Sequence, residues 1–334
     1  MKKVNFGVIG LGRIANDFCN DLVKSDNARL CAVASRSKVK SKDFANKYGA
    51  EKAYDSYKLL VEDEDIDIVY IATPHVFHKD ISIMCMERGK SVLCEKPAGV
   101  NEKELLEIIE CAKQNNVFFM EGMWTRFFPI SQKLIEIVKN NELGEIRHIE
   151  ANFGFGSWND ININNAEHRL FSPALAGGAI LDVGIYPIAF TTWLKGKAPE
   201  NIQTFAKITP LGVDGNTTAI FSYDDNCLAM LQCSVCQQTS SYGRIYFDNG
   251  SIELDRFYKP YCMKITHNDG TSENTIDDYQ KLGYHGFIYE IEHVIECLNK
   301  GLKMSPYYTW EDSLEIVRIM DIMRKQIGLI YPFE

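Results

Sequence analysis

Apolar residues fall in short continuous runs early in the chain and in alternation later, and that change divides it. Over residues 4–9 the run Val4, Phe6, Val8, Ile9 reads as a buried strand; it meets Gly10-Leu11-Gly12-Arg13-Ile14-Ala15 and then helix formers, giving strand, glycine turn, helix. Further runs follow at 30–34, at 67–73 stopped by Pro74, at 91–94 and at 117–120. Between them, 81–88 reads as a helix closed by Gly89, and Asn101 caps a helix to Asn115 with Glu104 at the capping-box position. Continuous apolar strands alternating with helices predict a doubly wound parallel sheet.

From Gly144 onward the pattern becomes strand-like with short turns. The runs are 146–155, 203–208, 217–223, 228–235, 243–247 and 251–254, with Asp224-Asp225-Asn226 and Asp248-Asn249-Gly250 as turns. This predicts an open, mainly antiparallel sheet in an α+β domain, with a helix over 178–194 that covers it or faces the cleft, completed by helices over 287–299 and 311–326. With 334 residues the chain exceeds one comfortable core. The expected division is 1–123 for a Rossmann domain and 124–334 for substrate binding and oligomerisation, the boundary lying near 121–126.

The first turn carries the clearest chemistry. Gly10 lets the strand turn sharply, Gly12 has no side chain to hold a pyrophosphate off the backbone, and Ala15 is small enough for helix to pack on strand. An anion would sit on the helix N-terminus, where unsatisfied N–H groups and the dipole favour it. The bland alternative is a tight turn with no ligand. The second strand ends in Ser35-Arg36-Ser37, with no carboxylate until Asp43. A site for NAD usually places Asp or Glu here, whereas Arg36, a serine hydroxyl and Lys38 and Lys40 suit the 2′-phosphate of NADP; NAD stays open as the second cofactor. Thr73-Pro74 and Glu95-Lys96-Pro97 follow strands whose carboxyl ends should face the same ligand, and Lys96-Pro97 is a candidate cis peptide.

A net charge of −9 with interspersed signs argues against nucleic acid or an anionic membrane as partner and leaves small molecules. No apolar run approaches the roughly 20 residues of a membrane span, and the polar N-terminus enters a strand directly, so a soluble, cytoplasmic protein is expected. The ten cysteines are scattered singly through apolar segments apart from Cys233-x-x-Cys236, which lies in a strand-like run without a second ligand pair. No metal site is expected.

Taken together, Gly10 to Ala15, Thr73-Pro74 with His78, Glu95-Lys96-Pro97, Glu121-Gly122-Met123-Trp124-Thr125-Arg126-Phe127 and Gly177-Gly178-Ala179-Ile180-Leu181-Asp182-Val183-Gly184-Ile185-Tyr186-Pro187 resemble the Gfo/Idh/MocA family, the glucose-fructose oxidoreductases and inositol dehydrogenases. The resemblance spans nearly the whole chain. It is closest in appearance to the dimeric dihydrodiol dehydrogenase branch, through Trp124-x-Arg126-Phe127 and a tyrosine at 186. It implies an NAD(P)-dependent oxidoreductase working on a secondary alcohol or carbonyl of a sugar, polyol or cyclic diol, and a homodimer or homotetramer formed through the second-domain sheet.

On this reading Lys96, Asp182 and Tyr186 are the catalytic candidates, with Asp182 and Tyr186 at i and i+4 on one helix face. Hydride transfer needs a proton moved at the substrate oxygen, and an ammonium beside a tyrosine favours its phenolate. Asp182 would accept from a substrate hydroxyl or orient Lys96. The cofactor candidates are Gly10, Gly12, Arg13, Ile14, Ser35, Arg36, Thr73, Pro74, His78, Glu95, Lys96 and Arg126; on the substrate side stand Trp124, Arg169, Asp182 and Tyr186, with Trp158 and His168 as weaker candidates. Two alternatives remain: a catalytically silent NADP-binding sensor, and a biliverdin-reductase-like enzyme on the same fold.

Overall fold

The computed structural model describes residues 3–334. It divides into two compact units, Met1–Phe127 with Tyr279–Leu314, and Phe128–Asp278 with Glu315–Glu334. The first opens with β1 (Val4–Ile9), α1 (Arg13–Leu22), β2 (Ala28–Ala34), α2 (Lys38–Tyr48), β3 (Lys52–Tyr54), α3 (Tyr57–Val61), β4 (Ile68–Ile71), α4 (His78–Met86), β5 (Ser91–Glu95), α5 (Glu102–Gln114) and β6 (Phe119–Gly122). The six strands form one parallel sheet in the order β3-β2-β1-β4-β5-β6. The order therefore reverses between β1 and β4, the place where open α/β sheets take ligands. β3 was not among the expected strands: it has three half-buried residues, too few to leave an apolar run.

The second unit contains α6 (Pro129–Lys139), β7 (Ile146–Gly154), α7 (Ile185–Lys195), β8 (Asn201–Ile208), β9 (Asp214–Ser222), β10 (Leu228–Ser234), β11 (Tyr242–Phe247), β12 (Gly250–Asp255), β13 (Cys262–His267) and β14 (Ser272–Ile276). Its eight strands run β14-β13-β12-β11-β7-β10-β9-β8, antiparallel throughout except for the β7–β10 pair. β13 and β14 extend the expected sheet; β14 is mostly exposed and polar, so it lacks the alternation that marks a half-buried strand. The inner face carries Ile149, Ala151, Ala219, Phe221, Ala229, Leu231 and Ile245, all buried, and α7 packs on it against β7 and β10. The outer face leaves Phe205, Ile220, Leu228, Met230 and Tyr246 exposed.

The helix expected over 178–194 is two pieces, a π-turn at Ile180–Gly184 running into α7. The 23-residue stretch Pro173–Lys195 is also long and apolar enough to cross a membrane, contrary to the sequence expectation; 89% of its most apolar window is buried, as the core helix of a folded domain would be.

After β14 the chain returns to the first unit, so 279–314 does not belong with 124–278 as the sequence division had it. α8 (Ile288–Asn299) buries Ile291, Val294 and Ile295, a stripe that needs an apolar partner. It packs on α1, where the buried Asp21 carboxylate accepts N–H bonds from His285 at 2.8 Å, Gly286 at 2.9 Å and Ile288 at 3.2 Å. Phe287 sets its edge on Phe18, which in turn stacks on Tyr70. The last helix, α9 (Trp310–Gln326), contains the third boundary, between Leu314 and Glu315.

Candidate active site

Along the carboxyl edge of the parallel sheet, the predicted glycine turn has the geometry a phosphate seat needs. Gly10 adopts φ +90°, and a Cβ there would lie 2.6–2.7 Å from the backbone of Ala72 and Thr73, so the turns after β1 and β4 touch and only glycine fits. At Gly12, which caps α1, a Cβ would meet nothing within 4 Å. Gly12, Arg13 and Ile14 are exposed while Leu11 and Ala15 are buried, so the helix start is open to solvent and its first turn carries no acid. The Thr73 hydroxyl is buried and makes no hydrogen bond among the described residues, which leaves a donor and an acceptor beside the turn. These residues fit a pyrophosphate. At the end of β2, Ser35 is buried and its hydroxyl accepts from the Ser37 N–H, and Ser37 in turn caps α2 through the Lys40 N–H; Arg36, Lys38 and Lys40 are exposed.

The Glu95-Lys96-Pro97 turn is held from three sides. Its Lys96–Pro97 peptide is cis, as anticipated. Glu95 accepts from the Tyr70 hydroxyl at 2.5 Å, and burial pushes its carboxyl upward against that bond and the nearby Lys96 ammonium. Glu121 accepts from the Ala98 N–H at 2.7 Å and the Tyr308 hydroxyl at 2.5 Å; burial raises it as well, with Lys96 again pulling the other way. His78 corrects the sequence reading. It is fully buried, its Nδ1 lies 2.8 Å from the Pro97 carbonyl and its Nε2 2.7 Å from the Thr73 carbonyl, so neither nitrogen is offered to a cofactor. The ring ties the two turns together, and burial pushes its pKa down against the pull of the carbonyls.

Arg126 requires a second correction. The residue is 3% exposed, with its guanidinium 3.4 Å from Asp312 and 4.9 Å from the centre of the Tyr308 ring, so it binds the returning segment rather than a nicotinamide. Trp124 is half-buried with its ring 4.6 Å from Phe287. Glu290, on the buried face of α8, has no hydrogen-bond partner for either oxygen among the described residues, and burial pushes its carboxyl well above the usual range.

In the second unit the structure brings Arg169 and Asp182 together: Arg169 Nη1 donates to Asp182 Oδ1 at 2.7 Å, with Arg169 exposed and Asp182 nearly buried. Asp182 lies in the π-turn and Tyr186 in the first turn of α7, so regular α-helical spacing does not relate them. Tyr186 is surrounded by rings the sequence reading did not single out. Phe153 and Tyr258 stack on each other at 3.9 Å and stand 5.6 Å and 5.7 Å from Tyr186, with Phe155 6.2 Å from Phe153. Trp158 packs on Gly215 beneath the Lys207 ammonium, and His168 lies against Phe171. Cys233 and Cys236 are buried and unbridged, and no group of metal-binding side chains occurs among the described residues.

Comparison with known proteins gives consistent relatives. Residues 4–123 match the model of an oxidoreductase family with an NAD-binding Rossmann fold, and residues 131–253 match the GFO/IDH/MocA C-terminal domain. A trans-1,2-dihydrobenzene-1,2-diol dehydrogenase from Xenopus laevis is 33% identical over 333 residues, covering 98% of this chain and 99% of the relative. The Homo sapiens enzyme of that name is 34% identical over 338 residues, covering 98% of each. Among solved structures, an aldose-aldose oxidoreductase from Caulobacter crescentus with glycerol superposes at TM-score 0.86 with 22% identity. A 3-ketoreductase from Actinomadura kijaniata with NADP and TDP-benzene gives 0.82 with 22% identity, and each covers 98% of both chains.

Proposed function

Because this chain belongs to the GFO/IDH/MocA oxidoreductase family, whose first domain binds a nicotinamide dinucleotide, we propose that it is an NADP-preferring dehydrogenase or reductase acting on a secondary alcohol or carbonyl of a sugar, polyol or cyclic diol. The observation that carries this is the open, glycine-lined start of α1 beside the unbonded Thr73 hydroxyl. Gly10, Gly12, Arg13, Ile14, Thr73 and Pro74 would hold the dinucleotide, with Ser35 and Arg36 at its ribose phosphate. The bound cofactor supplies the hydride acceptor or donor. Tyr186 passes the proton at the substrate oxygen, Lys96 contributes the positive charge that favours its phenolate, and Asp182, steered by Arg169, accepts from a substrate hydroxyl.

Two features support a cyclic diol over an open-chain polyol: the names of the diol dehydrogenase relatives, and the Phe153 and Tyr258 rings beside Tyr186, which suit a flat apolar ring face. The test is a panel of cyclic diols, sugars, polyols and dicarbonyls, each with both oxidised and reduced NADP and NAD, followed by nicotinamide absorbance. Turnover of cyclic diols at the highest kcat/KM is the expected result. No turnover of any CH–OH or carbonyl compound would leave the sensor reading standing.

The exposed apolar row on the outer sheet face supports self-association. Ile220 on β9 pairs with Met230 on β10, and Leu228 lies two pairs further along on the same face, so an uncovered patch runs across adjacent strands with Phe205 72% exposed beside it. Wild type is expected to run as a dimer or tetramer in light scattering, and Met230→Lys as a monomer with unchanged circular dichroism. A monomeric wild type at tens of micromolar rules this out. The ten unbridged cysteines suit a reducing compartment, and we place the protein in the cytoplasm.

A further inference from the structure

Beneath the π-turn at Ile180–Gly184 lies a carboxylate that the proposed chemistry does not use. Asp214, the first residue of β9, is completely buried. Its Oδ2 accepts the Ile180 N–H at 2.9 Å and the Thr217 hydroxyl at 2.7 Å. Its Oδ1 has no hydrogen-bond partner among the described residues. The acid therefore caps the N-terminus of the helical segment that presents Asp182 and Tyr186, where the unsatisfied N–H groups favour negative charge.

The surrounding residues are shaped for this contact. Gly178 adopts φ +119°, and a Cβ there would lie 2.2 Å from Asp214 Oδ1, so no other residue lets the turn come down onto the acid. On the far side of the turn, a Cβ at Gly184 would lie 2.9 Å from Cys233 Sγ. The π-turn is thus clamped between β9 and β10 at its two ends, with Asp182 midway between the clamps and Tyr186 two residues beyond the second.

We propose that Asp214 is a positioning residue for Asp182 and Tyr186: its ionised carboxylate holds the start of the π-turn, and protonation, which exchanges charge-assisted bonds for neutral ones, loosens it. The role rests on the oxidoreductase reading for its consequence in turnover but not for its geometry. Burial pushes Asp214 up to about 7 despite its two donors, so the exchange falls within the working pH range. The other titratable groups facing it are the Cys233 and Cys236 thiols and the Tyr331 phenol, and burial pushes all three upward, keeping them neutral there. Arg324, which faces Tyr331, is held charged by Glu334 and Asp321. Asp214 is left as the group whose charge changes.

The test uses the full-length protein with 13C-labelled tyrosine, titrated between about pH 5 and pH 8. The Tyr186 resonance is identified by its loss in Tyr186→Phe. In wild type it should move with a midpoint near 7. Asp214→Asn, which keeps an acceptor oxygen but cannot ionise, should flatten that titration and remove the acid limb of kcat/KM. Thr217→Val deletes a donor that lowers Asp214, so the midpoint should rise; this variant carries the test if Asp214→Asn folds poorly. A Tyr186 resonance that ignores pH in wild type, or titrates alike in wild type and Thr217→Val, overturns the proposal. A coupled titration without turnover of any substrate would instead count against the oxidoreductase reading alone.

Discussion

Tyr186→Phe is expected to lower kcat by about a hundredfold or more while NADPH still binds, because general acid-base transfer contributes on that order and the ring's packing against Phe153 and Tyr258 is kept. Lys96→Met should be at least as damaging. On the proposed mechanism it removes the charge that would favour phenolate, and it leaves Glu95 and Glu121, both nearby carboxyls raised by burial, without the ammonium that pulls them down. Residues that act as one unit show losses that do not add. The double variant should therefore be little worse than the weaker single one, measured as kcat at saturating substrate. Near-normal turnover in Tyr186→Phe, or single losses that simply multiply, would pass the proton-transfer role to Asp182 or His168.

NADPH should bind about tenfold to a hundredfold more tightly than NADH, since a charge-assisted hydrogen bond to the ribose phosphate contributes roughly 1.5 to 3 kcal/mol. The geometry is suitable: the end of β2 offers a buried Ser35 and an exposed Arg36 with Lys38 and Lys40 close behind, and no carboxylate stands there to repel the phosphate. Arg36→Ala should erase most of the difference by weakening NADPH and leaving NADH unchanged. Fluorescence titration reads both constants, and equal affinities in wild type would refute the preference.

What the sequence disclosed was what is local. The Gly10 turn, the strands that precede each cofactor candidate and the pairing of Asp182 with one helical segment all lie within a few residues of their own explanation. His78 and Arg126 were misjudged because sequence position says which residues neighbour a side chain along the chain, not which way it is turned or how deeply. His78 sits in the right turn and faces inward, while Arg126 follows the expected strand and faces Asp312, 186 positions away. Asp214 was not singled out, because its partner Ile180 lies 34 positions earlier. Glu290 did leave a trace, an acid in register with Val294 and Cys297 on the buried face of α8. The π-turn left none, since one extra residue per turn changes no residue type.

The return of 279–314 to the first unit bears on how a ribosome could deliver this protein. A nascent chain that has just released residue 127 holds every strand of the parallel sheet, yet it lacks the backbone donors of 285, 286 and 288 for Asp21 and the apolar face of α8 that packs on α1. The face of α1 that α8 covers is open to water until then, so the nucleotide-binding half should stay incomplete, and exposed to proteases and chaperones, until more than 150 further residues have been made. The eight-stranded sheet, whose strands all lie between 146 and 276, has no such wait within its own strands. Both units are therefore closed only by segments made after the eight-stranded sheet, 279–314 for the first and 315–334 for the second, and a gene fragment ending after β6 would not yield a stand-alone dinucleotide-binding domain.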